Sequence, residues 1–126
     1  MVDLAEFLLA RIGEDEAVAG HCSGPGWRYR LCLGIDQVVD AADDDGFVAT
    51  FDLDMDAMHA ARWNPRRVLA ECAAKRRVVE FEAGVTGVVE AVRQVVPVSG
   101  KPGTTVLRLL ALPYADHPGY REEWRP

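Results

Sequence analysis

The spacing of apolar residues changes twice along this chain, and that change constrains the fold more than any single motif. Leu4, Phe7, Leu8, Ile12 and Val18 recur at helical intervals and fall on one face. Over residues 27–33 the period drops to two: Trp27, Tyr29, Leu31 and Leu33 point one way, and Arg28, Arg30 and Cys32 the other. From Asp54 onward the helical period returns. A chain that alternates in this way lays helices on a small sheet. The expected class is α+β, mainly α, with three to four helices packed around a small antiparallel β-hairpin. At 126 residues the chain is long enough for one domain with its own core and short for two, so a single domain is expected.

Punctuation places the elements. A helix is expected over about 3–19, where Asp3 can cap the first turn and Glu6 completes a capping-box spacing. Glu14, Asp15 and Glu16 sit opposite its apolar face, and "GHCSGPG" (20–26) ends it. The hairpin occupies about 27–52. Its first strand is 27–33, and its second carries Phe47, Ala49 and Phe51 in alternation with Val48, Thr50 and Asp52. Residues 40–46, "DAADDDG", read as a turn ending in Asp45-Gly46, and "IDQVVD" lies between the strands in an open register. A two-stranded ribbon is marginal alone and needs a helix to lie on.

A helix over about 54–62 follows, capped by Asp54 and carrying Met55, Met58 and either Ala61 or Arg62. "WNP" breaks it, because a residue before proline avoids helical geometry. Asn64 as N-cap and Pro65 as first helical residue restart a helix over about 65–95, with Val68, Leu69, Cys72, Val79, Val85, Val88, Val89 and Val92. Gly84 and Gly87 each cost about 1 kcal/mol against alanine inside a helix. Residues 84–96 are also β-branched enough to form a strand, so helix is the reading there and strand its alternative, with a break near 83–87 left open. "PVSGKPG" (97–103) is a loop; Thr104 or Thr105 caps a C-terminal helix over about 105–113, and a last turn covers 118–124. Leu107, Leu110 and Tyr114 are expected to close the core, with Tyr120 and Trp124 clamping the final turn against the body.

Composition excludes several functions. A net charge of −6 and a pI near 5.0 argue against a chain-wide nucleic-acid footprint. Three cysteines without close pairing do not make a disulfide framework, and the opening stretch, which carries acids where a signal peptide needs positive charge, is not expected to act as one. No apolar run reaches membrane-spanning length, so no membrane association is expected, and a reducing cytoplasm is the expected location.

His21, Cys22, Cys32, His59, Cys72 and His117 are metal-ligating types, but only His21-Cys22 are local, and a zinc site wants short paired spacings. In an EF-hand reading with Gly46 at the sixth position, Ala41 would be first and Asp52 twelfth, against the bidentate glutamate required there. Both serines, Ser23 and Ser99, lie in loops, and Asp116-His117 are sequence neighbours that rarely bond side chain to side chain. No catalytic residue, no metal ligand and no cofactor is therefore assigned, and the chain reads as a non-enzyme.

Two stretches, "NPRRVLAECAAKRRVVE" and "LRLLALPYADHPGYREEWRP", resemble the signatures of a family of small uncharacterised proteins. That family is spread through actinobacteria and their phages, and the likeness covers about 60 residues, including the "FLLARIGEDEAVA" helix. Trp63-Asn64 stands where that family commonly shows His-Asp, Cys72 replaces an aliphatic residue, and Glu82 occupies the place of a frequent histidine. Many of its members carry a cysteine pair between the long and terminal helices, consistent with a metal site; this chain has none there. The resemblance implies lineage and a metal site lost here; it carries no activity.

The expected function is accordingly a small protein-interaction domain of phage or mobile-element type. Its partner would be a host or phage protein, or a second copy of itself, and the candidate contact residues are Met55, Met58, Trp63, Tyr120 and Trp124. The alternative is a nucleic-acid-binding regulator using Arg62, Arg66, Arg67, Lys75, Arg76 and Arg77, and a third is a degenerate zinc protein.

Overall fold

Helix α1 (Leu4–Gly20) starts where its capping box closes: Glu6 N–H donates to Asp3 Oδ1 at 2.8 Å, and Asp3 N–H donates to Glu6 Oε2 at 3.1 Å. In the computed structural model, which describes residues 2–42, 46–97 and 104–126, it is followed by a three-stranded antiparallel sheet and three more helices. The fold is α+β, mainly α. The turn residues 43–45, and with them the acidic turn and the EF-hand reading, lie outside the described residues. So do the loop residues 98–103 and the capping side chain expected of Thr104.

The sheet corrects the expected hairpin. "IDQVVD" is its central strand, β2 (Ile35–Asp40), between β1 (Trp27–Cys32) and β3 (Phe47–Phe51). β1 pairs with β2 from Trp27↔Asp40 to Cys32↔Ile35, and β2 pairs with β3 with an irregularity between Val38 and Val39. Val38 and Val39 are 1% and 0% exposed, so both faces of the central strand are covered, which is why two adjacent valines show no period of two. The β1–β2 turn is Leu33-Gly34, with φ of 51° and 74°. Positive φ at both central residues is the mirror-image turn that suits the strand twist. Leu31 alternates with Trp27 and Tyr29 along β1 as expected and is 62% exposed near the strand's end, whereas Leu33, expected on the same face, lies beyond the strand, in the turn itself, and is 96% exposed.

Helix α2 (Asp54–Arg62) packs against all three strands, giving the sheet the support it needs. Its N-cap is Leu53, in extended geometry without a side-chain bond. Asp54 is the first helical residue and accepts from Met55 N–H at 2.7 Å, which corrects its expected capping role. Asn64 does cap the next helix, α3 (Pro65–Arg93): its Oδ1 accepts from Arg67 N–H at 3.0 Å. α3 runs unbroken through Gly84 and Gly87, so the strand alternative fails, and it closes where Val95 and Val96 N–H both donate to the Val92 carbonyl.

Helix α4 (Thr104–Ala111) passes into a 3₁₀ turn at Leu112–Tyr114, and a second such turn lies at Glu122–Trp124. The described contacts gather into two compact units. One comprises residues 14–72, built on the sheet and α2 with Val38, Val39, Ala57 and Cys72 buried. The other comprises 1–13 and 73–126, with Phe7, Leu8, Ile12, Val79, Ala111 and Trp124 buried.

Candidate functional site

The residue after α2 is Trp63, and its exposure follows from the proline two positions on. Asn64 cannot continue the helix before Pro65, so Trp63 closes α2 by donating its N–H to the His59 carbonyl at 3.0 Å and turns its indole outward. The ring is 43% exposed. The Arg67 guanidinium lies over it at 4.0 Å from the centroid, and Arg67 Nε donates to Glu71 Oε1 at 3.1 Å. A cation over an indole is favourable by about 0.5–1 kcal/mol at exposed sites, and here it also fixes the ring's orientation.

Met55, Met58, His59, Arg62 and Trp63 surround a depression of about 190 Å³, with Met55 67% and Met58 39% exposed. Trp63 also borders a cleft of about 300 Å³ with Val18, Ala19, Trp27, Pro65 and Val68, in which Asp15 is the charged lining residue. Trp27 is positioned there by its indole N–H, which donates to the Ser23 carbonyl at 2.9 Å. Below it, Gly24 has φ 75°, and a Cβ at that residue would meet Asp40 Oδ2 at 2.1 Å, so the "SGPG" turn requires glycine. The result is an apolar surface built on rigid elements, with a flexible methionine pair and a clamped indole at its centre. Methionine adapts to irregular partners, and tryptophan is the residue type most enriched in binding hot spots.

Tyr120 and Trp124 belong to the other unit. Trp124 is 6% exposed, its ring 5.0 Å from Phe7 and 5.8 Å from Tyr120. Tyr120 is half-buried, and its Oη is buried without a hydrogen-bond partner among the described residues. Trp124 is thus covered by its own chain, whereas Met55, Met58 and Trp63 form an open surface.

Of the six candidate basic residues, Arg67, Lys75 and Arg76 are half-buried and Arg62, Arg66 and Arg77 are exposed. Arg66 N–H donates to the Pro25 carbonyl at 2.7 Å, and its guanidinium lies about 3.1 Å from where a Gly26 Cβ would stand. Arg67 is held by Trp63 and Glu71 as above. Lys75 Nζ lies 5.7 Å from the Tyr114 centroid, and Arg76 stands within 3.7 Å of a Cβ at Gly13.

Among the metal-type residues, His21 Nδ1 is 2.6 Å from the Ala17 carbonyl and Cys22 Sγ donates to the Val18 carbonyl at 3.3 Å, while Cys72 is buried. His117 accepts from Gly119 N–H at 2.9 Å through Nδ1 and meets Arg11 through Nε2. Among the described residues no three of His, Cys, Asp or Glu come together as a metal site.

The chain matches, over residues 1–126, a family model described as a family of unknown function (DUF6221). It belongs to that family. No curated protein matches it. No solved structure matches it. Within this family member, sequence reasoning missed Val18 and Trp27 as neighbours of Trp63, because they come from distant elements, whereas Pro65 and Val68 follow it closely in the chain. Arg67 likewise stands four residues after Trp63, close enough in the chain to reach its ring across the break between the helices. Another feature of this unit is the Tyr29 hydroxyl, which donates to Asp36 Oδ1 at 2.7 Å. That bond first, then desolvation and the charges of Asp36 and Asp54, raise the phenol above its ordinary value.

Proposed function

We propose that the chain is a non-enzymatic protein-interaction module that docks a partner protein on the surface made by Met55, Met58 and Trp63. The observation that carries this reading is the exposed indole of Trp63 held under Arg67, between a methionine-lined depression and a largely apolar cleft. His59 and Arg62 on the same depression suit a partner segment that presents apolar side chains beside carboxylates. The likeness of the N-terminal, central and terminal signatures to actinobacterial and phage proteins supports a phage or mobile-element lineage, and with it a cytoplasmic partner of host or phage origin. No described helix is long and apolar enough to cross a membrane.

The nucleic-acid reading has weaker support, since Arg67 and Lys75 lie against aromatic rings, although three of the six candidate basic residues, Arg62, Arg66 and Arg77, are exposed. The test replaces Trp63 with a photo-crosslinking phenylalanine analogue in the producing cell. A discrete adduct with one second protein is expected, and it is lost when Met55→Asp and Met58→Asp are added. No adduct, or one indifferent to those charges, would end this reading. Retarded DNA or RNA at about 50 mM salt would favour the nucleic-acid alternative.

A further inference from the structure

In the distal half of α3 the described residues bury Val79 and leave an apolar face on the other side of the helix open. Val79 is 4% exposed, whereas Phe81, two residues on and about 200° round the helix, is 68% exposed. Val88 and Val92 continue that outer face at 65% and 43%, and Val95, on the turn that closes the helix, is 83% exposed. Val78, Phe81, Val85, Val88, Val92 and Val95 are spaced 3, 4, 3, 4 and 3 apart, the seam of a heptad repeat in which Val78, Val85 and Val92 take a positions.

The seam carries a formed receptor for such a partner. Phe81, Gly84, Val85 and Val88, with Val89 beside them, line a depression of about 420 Å³, and the first four stand at i, i+3, i+4 and i+7, the set that forms a hole for a facing knob. The hole exists because Gly84 has no side chain, and a Cβ built there meets nothing within 4 Å. Charge sets the orientation: Arg77 falls at a g position and Glu82 at the following e position, so two parallel copies bring Arg77 of each against Glu82 of the other. No charged residue interrupts the seam itself.

We infer that α3 self-associates, two copies of this chain pairing in parallel through the 78–95 seam, with Val85 of each entering the hole of the other. β-Branched residues at a favour two strands when leucine stands at d. Here d is Phe81, Val88 and Val95, so the two-copy state rests on the shortness of the seam and the Arg77–Glu82 pairing, and a larger assembly is an outcome the test reads. The helical part of the seam, 78–93, spans about 23 Å, so the contact is small and the dimer concentration-dependent. This inference uses none of the residues of the Trp63 surface, and the two fail separately.

The test is sedimentation equilibrium of the full chain from about 1 μM to about 1 mM. A monomer–dimer equilibrium is expected, with Val88→Glu weakening it by at least about tenfold because the two carboxylates would face each other. Since Val88 is exposed in the single chain, this variant should keep its thermal melt at low concentration. Arg77→Glu and Glu82→Arg should each weaken the dimer, and the double swap should restore it. A single-chain mass throughout, a mass above two chains, a dimer unmoved by Val88→Glu, or a swap that fails to restore it would overturn the proposal.

Discussion

Replacing Trp124 by alanine removes the side chain that closes the C-terminal segment onto α1. The indole is 6% exposed and lies 5.0 Å from the Phe7 ring, with Tyr120 edge-on at 5.8 Å and the Arg121 guanidinium at 5.5 Å. A side chain of this size buries roughly 150–250 Å², worth about 4–6 kcal/mol at about 25 cal/mol per Å². Partial burial in the unfolded ensemble trims that to about 3–5 kcal/mol, the range in which tryptophan-to-alanine truncations fall. About 4 kcal/mol is a large share of the roughly 5–15 kcal/mol that holds a domain together. With an unfolding entropy of about 2.1 cal/mol/K per residue over 126 residues, it corresponds to a Tm lower by about 15 °C. Trp124→Phe keeps a ring against Phe7 and should lose about 1–2 kcal/mol. Urea melts followed by far-ultraviolet circular dichroism measure both, with a constant slope confirming that stability alone changed. A loss below about 1 kcal/mol for Trp124→Ala would refute the idea that this terminal stretch is structural.

Three smaller predictions follow from the same geometry. Leu33→Asn should stabilise the chain by about 1 kcal/mol in the same melts, because leucine at φ 51° is strained while its side chain is 96% exposed and buries nothing. Asn64→Ala should cost about 1 kcal/mol, since it removes the bond to Arg67 N–H and leaves the first turn of α3 uncapped. Asp36→Asn should return Tyr29 toward its ordinary ionisation, read by phenolate absorbance and assigned with Tyr29→Phe. The sign is fixed by the raised phenol: its stabilising effect is complete below the ordinary tyrosine value near 10 and is lost as pH rises through the folded-state value.

What was legible in the sequence was local. The capping box of Asp3 and Glu6, the Asn64-Pro65 start and the stop at "WNP" are side-chain-to-backbone chemistry within three residues, and each stands where spacing put it. β2 was hard to read because a central strand covered on both faces shows Val38 and Val39 side by side, and because Leu33-Gly34 lacks the asparagine or aspartate that marks this turn. The Asp54 cap failed because Leu53 already had the extended backbone that a cap needs. For the candidate site, Met55, Met58 and Trp63 were open to reading as apolar residues on a short helix. The cleft beside Trp63 was not, since Val18 and Trp27 reach it only through tertiary folding.

The most direct measurement of the central claim is hydrogen–deuterium exchange of the chain alone and with the protein that crosslinks at residue 63. Slowed exchange confined to Asp54–Arg62, Trp63 and the first turn of α3 is the predicted footprint. Protection that leaves those amides unchanged and falls elsewhere on the chain would contradict it.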